Sequence, residues 1–342
     1  MNFWVSLISA GVVVLILIAI GALGAVPALQ GVFGVAVPIL AVLIFVAGIV
    51  WRVVQYARRP VPFAIPTTCG QQKTLPWIKN NPVESPNSTA GVVARMALEI
   101  LTFRSLFRNT AMKIGEDGPK ITYGSTQWLW LGAIVFHYAF LTVVIRHMRF
   151  FTDPVWSLVH AIETFDGFLE VGLPGMMLSG FALLAAVGYL LLRRLAIPQL
   201  RYISLPNDYF PLFLILSIAG SGILMRYFVK VDVIAVKELA MNIAHFNFAA
   251  PEGIGILFWI HLFLVCVLLA YFPFSKLIHS GGVFFSPTRN MATNTREFRH
   301  INPWNYPVKI HTYEAYEDEF REKMVEAGLP VDKPLDDEAA AQ

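Results

Sequence analysis

Six apolar runs set the outer limits on what this chain can fold into. They fall at Trp4 to Ala25, Gly34 to Tyr56, Trp128 to Arg149, Val171 to Leu192, Tyr209 to Val229 and Gly255 to Ile278. Each is as long as the roughly 20 residues a helix needs to cross a bilayer. With 56% hydrophobic and 14% charged residues overall, the chain reads as an all-α, polytopic membrane helix bundle rather than a soluble domain. The formal charge of +3 is small and the basic residues fall in loops, which argues against nucleic acid as a partner.

Four histidines belong to two of these runs: His137 and His147, ten residues apart, and His261 and His279, eighteen apart. Ionisable residues within a span are costly and point to function. At 1.5 Å per residue the two separations are about 15 Å and about 27 Å. If the two helices are antiparallel, His137 stands level with His279 and His147 with His261. The mismatch of about 12 Å divides between the two ends, where tilt and a wide, flat ligand can absorb it. Eighteen residues make five turns, so His261 and His279 are expected on one face of a continuous helix. Ten residues fall about 80° short of three turns, so His147 must reach its partner from a rotated position.

Two imidazoles facing across a gap form the axial set of a non-covalently held b-type haem. Two levels give a dihaem b core, with inner iron ligands His137 and His279 and outer iron ligands His147 and His261. Taken singly, each histidine could be a hydrogen-bonded packing residue or a proton relay. His147 lies between Arg146 and Arg149, and His279 follows Lys276, so these two could also reach for the headgroups. The joint pattern favours the haem reading over a haem-free anchor or transporter, for which no internal repeat or pair of broken helices is evident. The two cysteines, Cys69 and Cys266, are far apart, and no C-x-x-C-H string is present. Covalent haem attachment is therefore excluded, and any iron–sulfur centre must belong to a partner.

The chain divides into an N-terminal hairpin (1–56), a polar loop (57–127), a four-span haem-binding core (128–280) and a tail (281–342). The hairpin holds no histidine or acid, and packing is its expected role. No Lys or Arg precedes its first span, which is read as a retained helix and not a secretory signal. Arg52, Arg58 and Arg59 lead into a basic loop, Arg193, Arg194 and Arg201 lie in the next loop on that side, and Arg289, Arg296, Arg299 and Lys309 follow the last span. This bias puts both termini and the long loop in the cytoplasm, with the protein in the cytoplasmic membrane. Within the loop, Gly91 to Phe107 carries Val92, Met96, Ile100 and Phe103 or Phe107 at helical spacing, with Arg95, Glu99 and Arg104 elsewhere on the wheel. Such a helix could lie on lipid or receive a soluble subunit. The tail is expected to be extended, then helical over Glu314 to Glu326 with Glu319 and Lys323 four apart; it reads as a docking arm.

The loop after the third span holds Asp153, His160, Glu163, Asp166 and Glu170 among Phe151, Trp156, Phe165 and Phe168. It reads as an interfacial aromatic belt with solvated acids, or as a pocket for a hydrophobic quinol. In the second case His160 and Glu163 would be the catalytic proton acceptors. Arg146, Arg149 and Arg226 are candidate partners for haem propionates, and His245 is a candidate lining residue or surface group.

The six spans and the ten- and eighteen-residue pairs resemble the membrane cytochrome b subunit of respiratory nitrate reductase and its relatives. The likeness covers about residues 34 to 280. That family core has five spans, so one helix here is additional, with Trp4 to Ala25 the candidate. The strings CGQQKTLPWIKNN (69–81), VVARMALEILTFRSLFRNT (92–110), HINPWN (300–305) and HTYEAYEDEFREKM (311–324) are similar to the branch serving the Dsr membrane complex of sulfur-metabolising microbes. The resemblance implies two b-type haems on His137, His147, His261 and His279, with menaquinol as electron donor. It also implies a cytoplasmic iron–sulfur subunit related to heterodisulfide reductase (DsrK-like), beside further membrane and periplasmic redox subunits. One feature departs from the pattern. Relatives are thought to hold quinone with a lysine shortly after the second histidine, and here no lysine falls between Lys120 and Lys230.

Overall fold

The computed structural model describes residues 2–59, 70–114, 121–167, 175–247, 249, 251, 253–294 and 311–334, with backbone alone at 113 and 114. Cys69, Phe168, Glu170, Phe248, Glu252, Arg296, Arg299, Lys309 and the string at 300–305 lie outside the described residues. Among the described residues six helical segments are long and apolar enough to cross a membrane. In chain order the elements begin with α1 (Phe3–Ala22) and α2 (Val37–Ala57). The first long loop then forms α3 (Thr89–Thr102), α4 (Arg104–Arg108) and an antiparallel hairpin of β1 (Thr110–Ile114) and β2 (Ile121–Ser125). After it come α5 (Gln127–His147), α6 (Ser157–Asp166), α7 (Leu178–Ala196) and α8 (Pro198–Ile203). The unit continues with α9 (Pro206–Ile223), α10 (Val233–Ala244), α11 (Ile256–Tyr271) and α12 (His279–Gly282). The fourth span begins at Leu178, seven residues later than its apolar run suggests.

Helix α1 is apolar on every side, as a helix in hydrocarbon must be. Its buried residues are Ser6, Ala10, Val14 and Gly21, mostly small, which lets neighbouring backbones come close. It lies against α9 and α11; α5 packs on α7, α7 on α9, α9 on α11, and α11 on α2. Val14, Leu183, Val187, Leu214 and Leu264 form the centre of the resulting core. Among the described residues α5 and α11, the two histidine-bearing helices, make no comparable contact with each other.

The last span is not one continuous helix to Ile278. It leaves α-helical geometry at Tyr271 and passes through two 3₁₀ turns, Phe272–Phe274 and Lys276–Ile278, separated by extended Ser275. Pro273 and Ser275 cause the break. Proline removes a helical donor, and the Ser275 hydroxyl bonds the Phe272 carbonyl at 3.0 Å. The freed Pro273 carbonyl accepts Arg52 Nε at 3.0 Å, and Lys276 pairs with Asp208 at 2.6 Å. His261 and His279 therefore do not share a helix face as five unbroken turns would require.

Helix α2 does more than pack here. Gly48, one turn before Arg52, receives Pro273 so closely that a Cβ would lie 2.7 Å from the proline ring. Gly48→Ala is expected to displace this turn at about 1–3 kcal/mol, as overpacking does. The thermal midpoint in detergent should fall, whereas Gly31→Ala, whose Cβ would meet nothing within 4 Å, should leave it unchanged.

The expected helix over Gly91 to Phe107 is broken at Phe103, which takes a left-handed φ of 50°, and its polarity is inverted. Arg95 and Glu99 are buried. Glu99 accepts the Ser105 amide at 3.1 Å and the Ser105 hydroxyl, while Glu84 pairs with Arg104 and Arg108. The Thr293 amide bonds the Pro86 carbonyl at 2.6 Å. Loop and early tail thus pack in the same compact unit as the spans.

The described residues 311–334 form a separate unit around α13 (Tyr313–Glu326). Glu317 accepts the amides of Asp332 and Lys333, each at 2.9 Å, and Arg321 Nε at 3.2 Å. The Asp332 amide leads these partners in holding the Glu317 carboxyl below its ordinary range. Glu319 meets His311 at 3.9 Å while Lys323 lies over the Phe320 ring.

Candidate functional site

The imidazoles of His137 on α5 and His279 on α12 face each other with ring centroids 5.9 Å apart and planes at 86°. Those of His147, the last residue of α5, and His261 on α11 are 6.4 Å apart and nearly parallel at 15°. The broken last span explains how the unequal spacings are reconciled: the 3₁₀ turns redirect the chain and bring His279 back over His137.

All four rings engage Nδ1. His137 bonds the Ala133 carbonyl at 2.7 Å, His147 the Val143 carbonyl at 2.7 Å, and His279 the Lys276 carbonyl at 2.8 Å. His261 meets Ser221 Oγ at 2.9 Å, and that hydroxyl also lies 3.0 Å from the Ile218 carbonyl. A hydroxyl has one proton and a carbonyl can only accept. The Ser221 proton therefore goes to Ile218, and His261 must donate from Nδ1. In each ring Nε2 is left with its lone pair, the arrangement of a metal-ligating histidine whose other nitrogen is tied back. His245 makes the same bond, to Met241 at 2.8 Å, but is exposed and among the described residues no second imidazole faces it, so the bond alone defines no site. Facing pairs do.

These pairs fit a haem. Two imidazole nitrogens about 2 Å from one metal place the ring centroids about 6 Å apart. Among the described residues no three His, Cys, Asp or Glu converge on one point, but a haem brings four nitrogens of its own and asks only for the axial pair. Gly222 leaves room beside His261, since a Cβ there would lie 3.4 Å from Cε1.

At the level of His147 and His261, Arg146 Nη1 pairs with Asp166 at 2.7 Å, and Asp166 also accepts the Ser179 amide and hydroxyl, each at 2.6 Å. Arg146 Nε is buried with no hydrogen-bond partner among the described residues. Arg149 pairs with Glu163 at 2.8 Å, and His160 is 3.8 Å from the same carboxylate. The structure therefore brings Arg146, Arg149, Glu163 and His160 to one end of α5, with Arg226 close enough to Arg146 to act on it electrostatically. His160 is largely exposed. At the inner level Phe103 and Phe136 abut the His137 ring at 4.9 and 5.0 Å.

Sequence reasoning missed Ser221, the structural hold of Asp166, and Phe103. Ser221 sits between Gly220 and Gly222 in α9, forty residues from His261, and local pattern gives no signal for that pairing.

Six apolar helices holding facing imidazoles define a membrane protein of the cytochrome b type. The chain matches the nitrate reductase gamma subunit family over residues 86–299, and it belongs to that family. The match begins at Pro86, after α1 and α2, rather than near residue 34. The chain is 47% identical over 281 residues to the Hdr-like menaquinol oxidoreductase cytochrome b-like subunit of Archaeoglobus fulgidus, covering 80% of this chain and 83% of that protein. Its identity to the same-named subunit of Archaeoglobus profundus is 42% over 277 residues, covering 79% and 82%.

Proposed function

We propose that this chain is the dihaem cytochrome b subunit of a menaquinol-oxidising complex of the Dsr type, a DsrM. The observation that carries the reading is the two facing imidazole pairs, each with Nδ1 tied back. The names of the two relatives support menaquinol as the donor.

His137 and His279 would hold the inner haem, and His147 and His261 the outer. A b-type haem held by such a pair would supply one-electron transfer. Menaquinol binds at the outer level, where His160 and Glu163 accept its protons, and Arg149 keeps Glu163 directed inward. Arg146, Arg149 and Arg226 neutralise the propionates. Arg226 is the least committed of these, with no ion-pair partner among the described residues beyond its contact with the Tyr227 ring. The Lys/Arg bias of the loops orients both termini to the cytoplasm. Electrons leave at the inner level to a DsrK-like iron–sulfur subunit related to heterodisulfide reductase, and further membrane and periplasmic subunits complete the sulfur-metabolism complex.

The test is a reduced-minus-oxidised visible spectrum of the purified chain with pyridine haemochrome quantitation. About two b haems per chain, reducible by a menaquinol analogue, are expected. Well-folded protein with no Soret band would overturn the proposal and leave a haem-free anchor or transporter in its place.

A further inference from the structure

Helix α3 is an inside-out helix. Between its exposed terminal threonines, Thr89 and Thr102, its exposed residues are Ala90, Val93, Ala94, Ala97, Ile100 and Leu101, at steps of three and four that make one apolar stripe. Val93 is 63% and Leu101 57% exposed, whereas the charged pair Arg95 and Glu99 is only 2% and 9% exposed. A helix on the surface of a soluble domain shows the opposite pattern. At 14 residues it is about 21 Å long, too short to span but of the length expected of an interfacial or re-entrant segment.

The C-terminal end of α3 carries a second, independent signature. The last carbonyls of a helix normally look to water, yet here protein side chains take those of Leu101 and Thr102. Tyr138 Oη donates to Leu101 O at 2.8 Å and Trp130 Nε1 to Thr102 O at 2.7 Å. Thr102 Oγ1 donates to Leu98 O at 2.6 Å, and the Phe103 and Phe107 amides to Glu99 O and Phe103 O, both at 3.1 Å. Internal satisfaction of this kind is what hydrocarbon demands of a polypeptide. Trp130 and Tyr138 belong to the N-terminal part of α5, whose outward residues Trp128, Leu131, Val135 and Leu141 are likewise exposed and apolar. Their two bonds join the Leu101 end of the α3 stripe to this helix.

From these observations we infer that α3 is immersed in the bilayer leaflet that surrounds the N-terminal end of α5, with its Ala/Val/Ile/Leu stripe against lipid acyl chains. The charged pair then faces the protein, and Phe103, at the immersed end, closes the inner imidazole pair against lipid. The occupant of this face is lipid, so a soluble partner docks elsewhere on the loop.

The test uses the full chain with Cys69 and Cys266 replaced by serine, reconstituted in phosphatidylcholine–phosphatidylglycerol vesicles. Nitroxides are placed at V93C, A97C and L101C, with W77C, at exposed Trp77, as the aqueous reference. The oxygen-to-nickel-chelate accessibility ratio is expected to be about ten times higher at 93, 97 and 101 than at 77. Ratios equal to that at 77 would overturn the inference and make α3 a platform for a soluble subunit. The unsubstituted chain gives a second measurement: a phospholipid with a diazirine in its acyl chain should label 89–102. Labelling confined to the six spans would equally overturn it.

Discussion

His261→Ala is expected to remove about half of the b haem from the purified chain, and His137→Ala the other half, because each takes one of two axial ligands from a different level. The two losses should be separable by spectroscopy. Axial imidazole orientation governs the anisotropy of a low-spin ferric signal, and the planes are at 15° in the outer pair but 86° in the inner pair. His261→Ala should abolish one signal, His137→Ala the other, and the double variant both. His245→Ala, which removes an exposed ring with no facing imidazole, should change neither. If a single substitution left two full haems in place, or if either variant lost both haems while retaining its fold, the pairing scheme would be wrong. Haemochrome quantitation with low-temperature electron paramagnetic resonance makes the distinction.

Much of the fold is legible in the sequence because a bilayer leaves so few options. An apolar run of span length has to become a helix, and two antiparallel spans with paired histidines can face each other in one order only. What the spacing could not reveal is how a separation of ten meets one of eighteen. The answer lies in Phe272, Pro273 and Ser275, which read as part of one apolar run yet end the helix, and in Gly48 and Arg52 some 220 residues earlier, which receive the break. Which side of helix α3 faces the protein is hidden in the sequence for a related reason. Periodicity identifies an amphipathic helix but not which side is in, and the usual assignment fails where the surrounding solvent is lipid. The β1–β2 hairpin was not foreseen; its strands are five residues each and carry little periodic signal. Asp166 is legible only as an acid near the end of α5, because its role depends on Arg146 and Ser179, twenty and thirteen residues away in the chain.

That role leads to the other large expected effect. Asp166→Ala should destabilise the chain by about 3–5 kcal/mol, the usual cost of removing one member of a buried ion pair. The side chains of Arg146 and Asp166 are 13% and 4% exposed, so the guanidinium would be left charged and poorly solvated, and the Ser179 amide and hydroxyl would lose their acceptor. Since Asp166 ends α6 and Ser179 opens α7, the same change unfastens α6 from the outer end of the bundle. The neighbouring pair offers the comparison. Arg149 is 42% exposed, so Glu163→Ala should cost no more than about 1 kcal/mol, as surface pairs do. It should instead impair menaquinol oxidation if Glu163 accepts the proton. The double variant Arg146→Met/Asp166→Leu removes both charges and should recover much of the loss, because an apolar pair of similar volume can replace a buried ion pair at little cost. Thermal midpoints in one detergent, measured beside menaquinol oxidation, separate the two carboxylates into a fastening and a proton acceptor. Equal, small shifts for Asp166→Ala and Glu163→Ala would mean that water reaches Arg146 as freely as Arg149, and that the outer level is an open surface instead of a closed site.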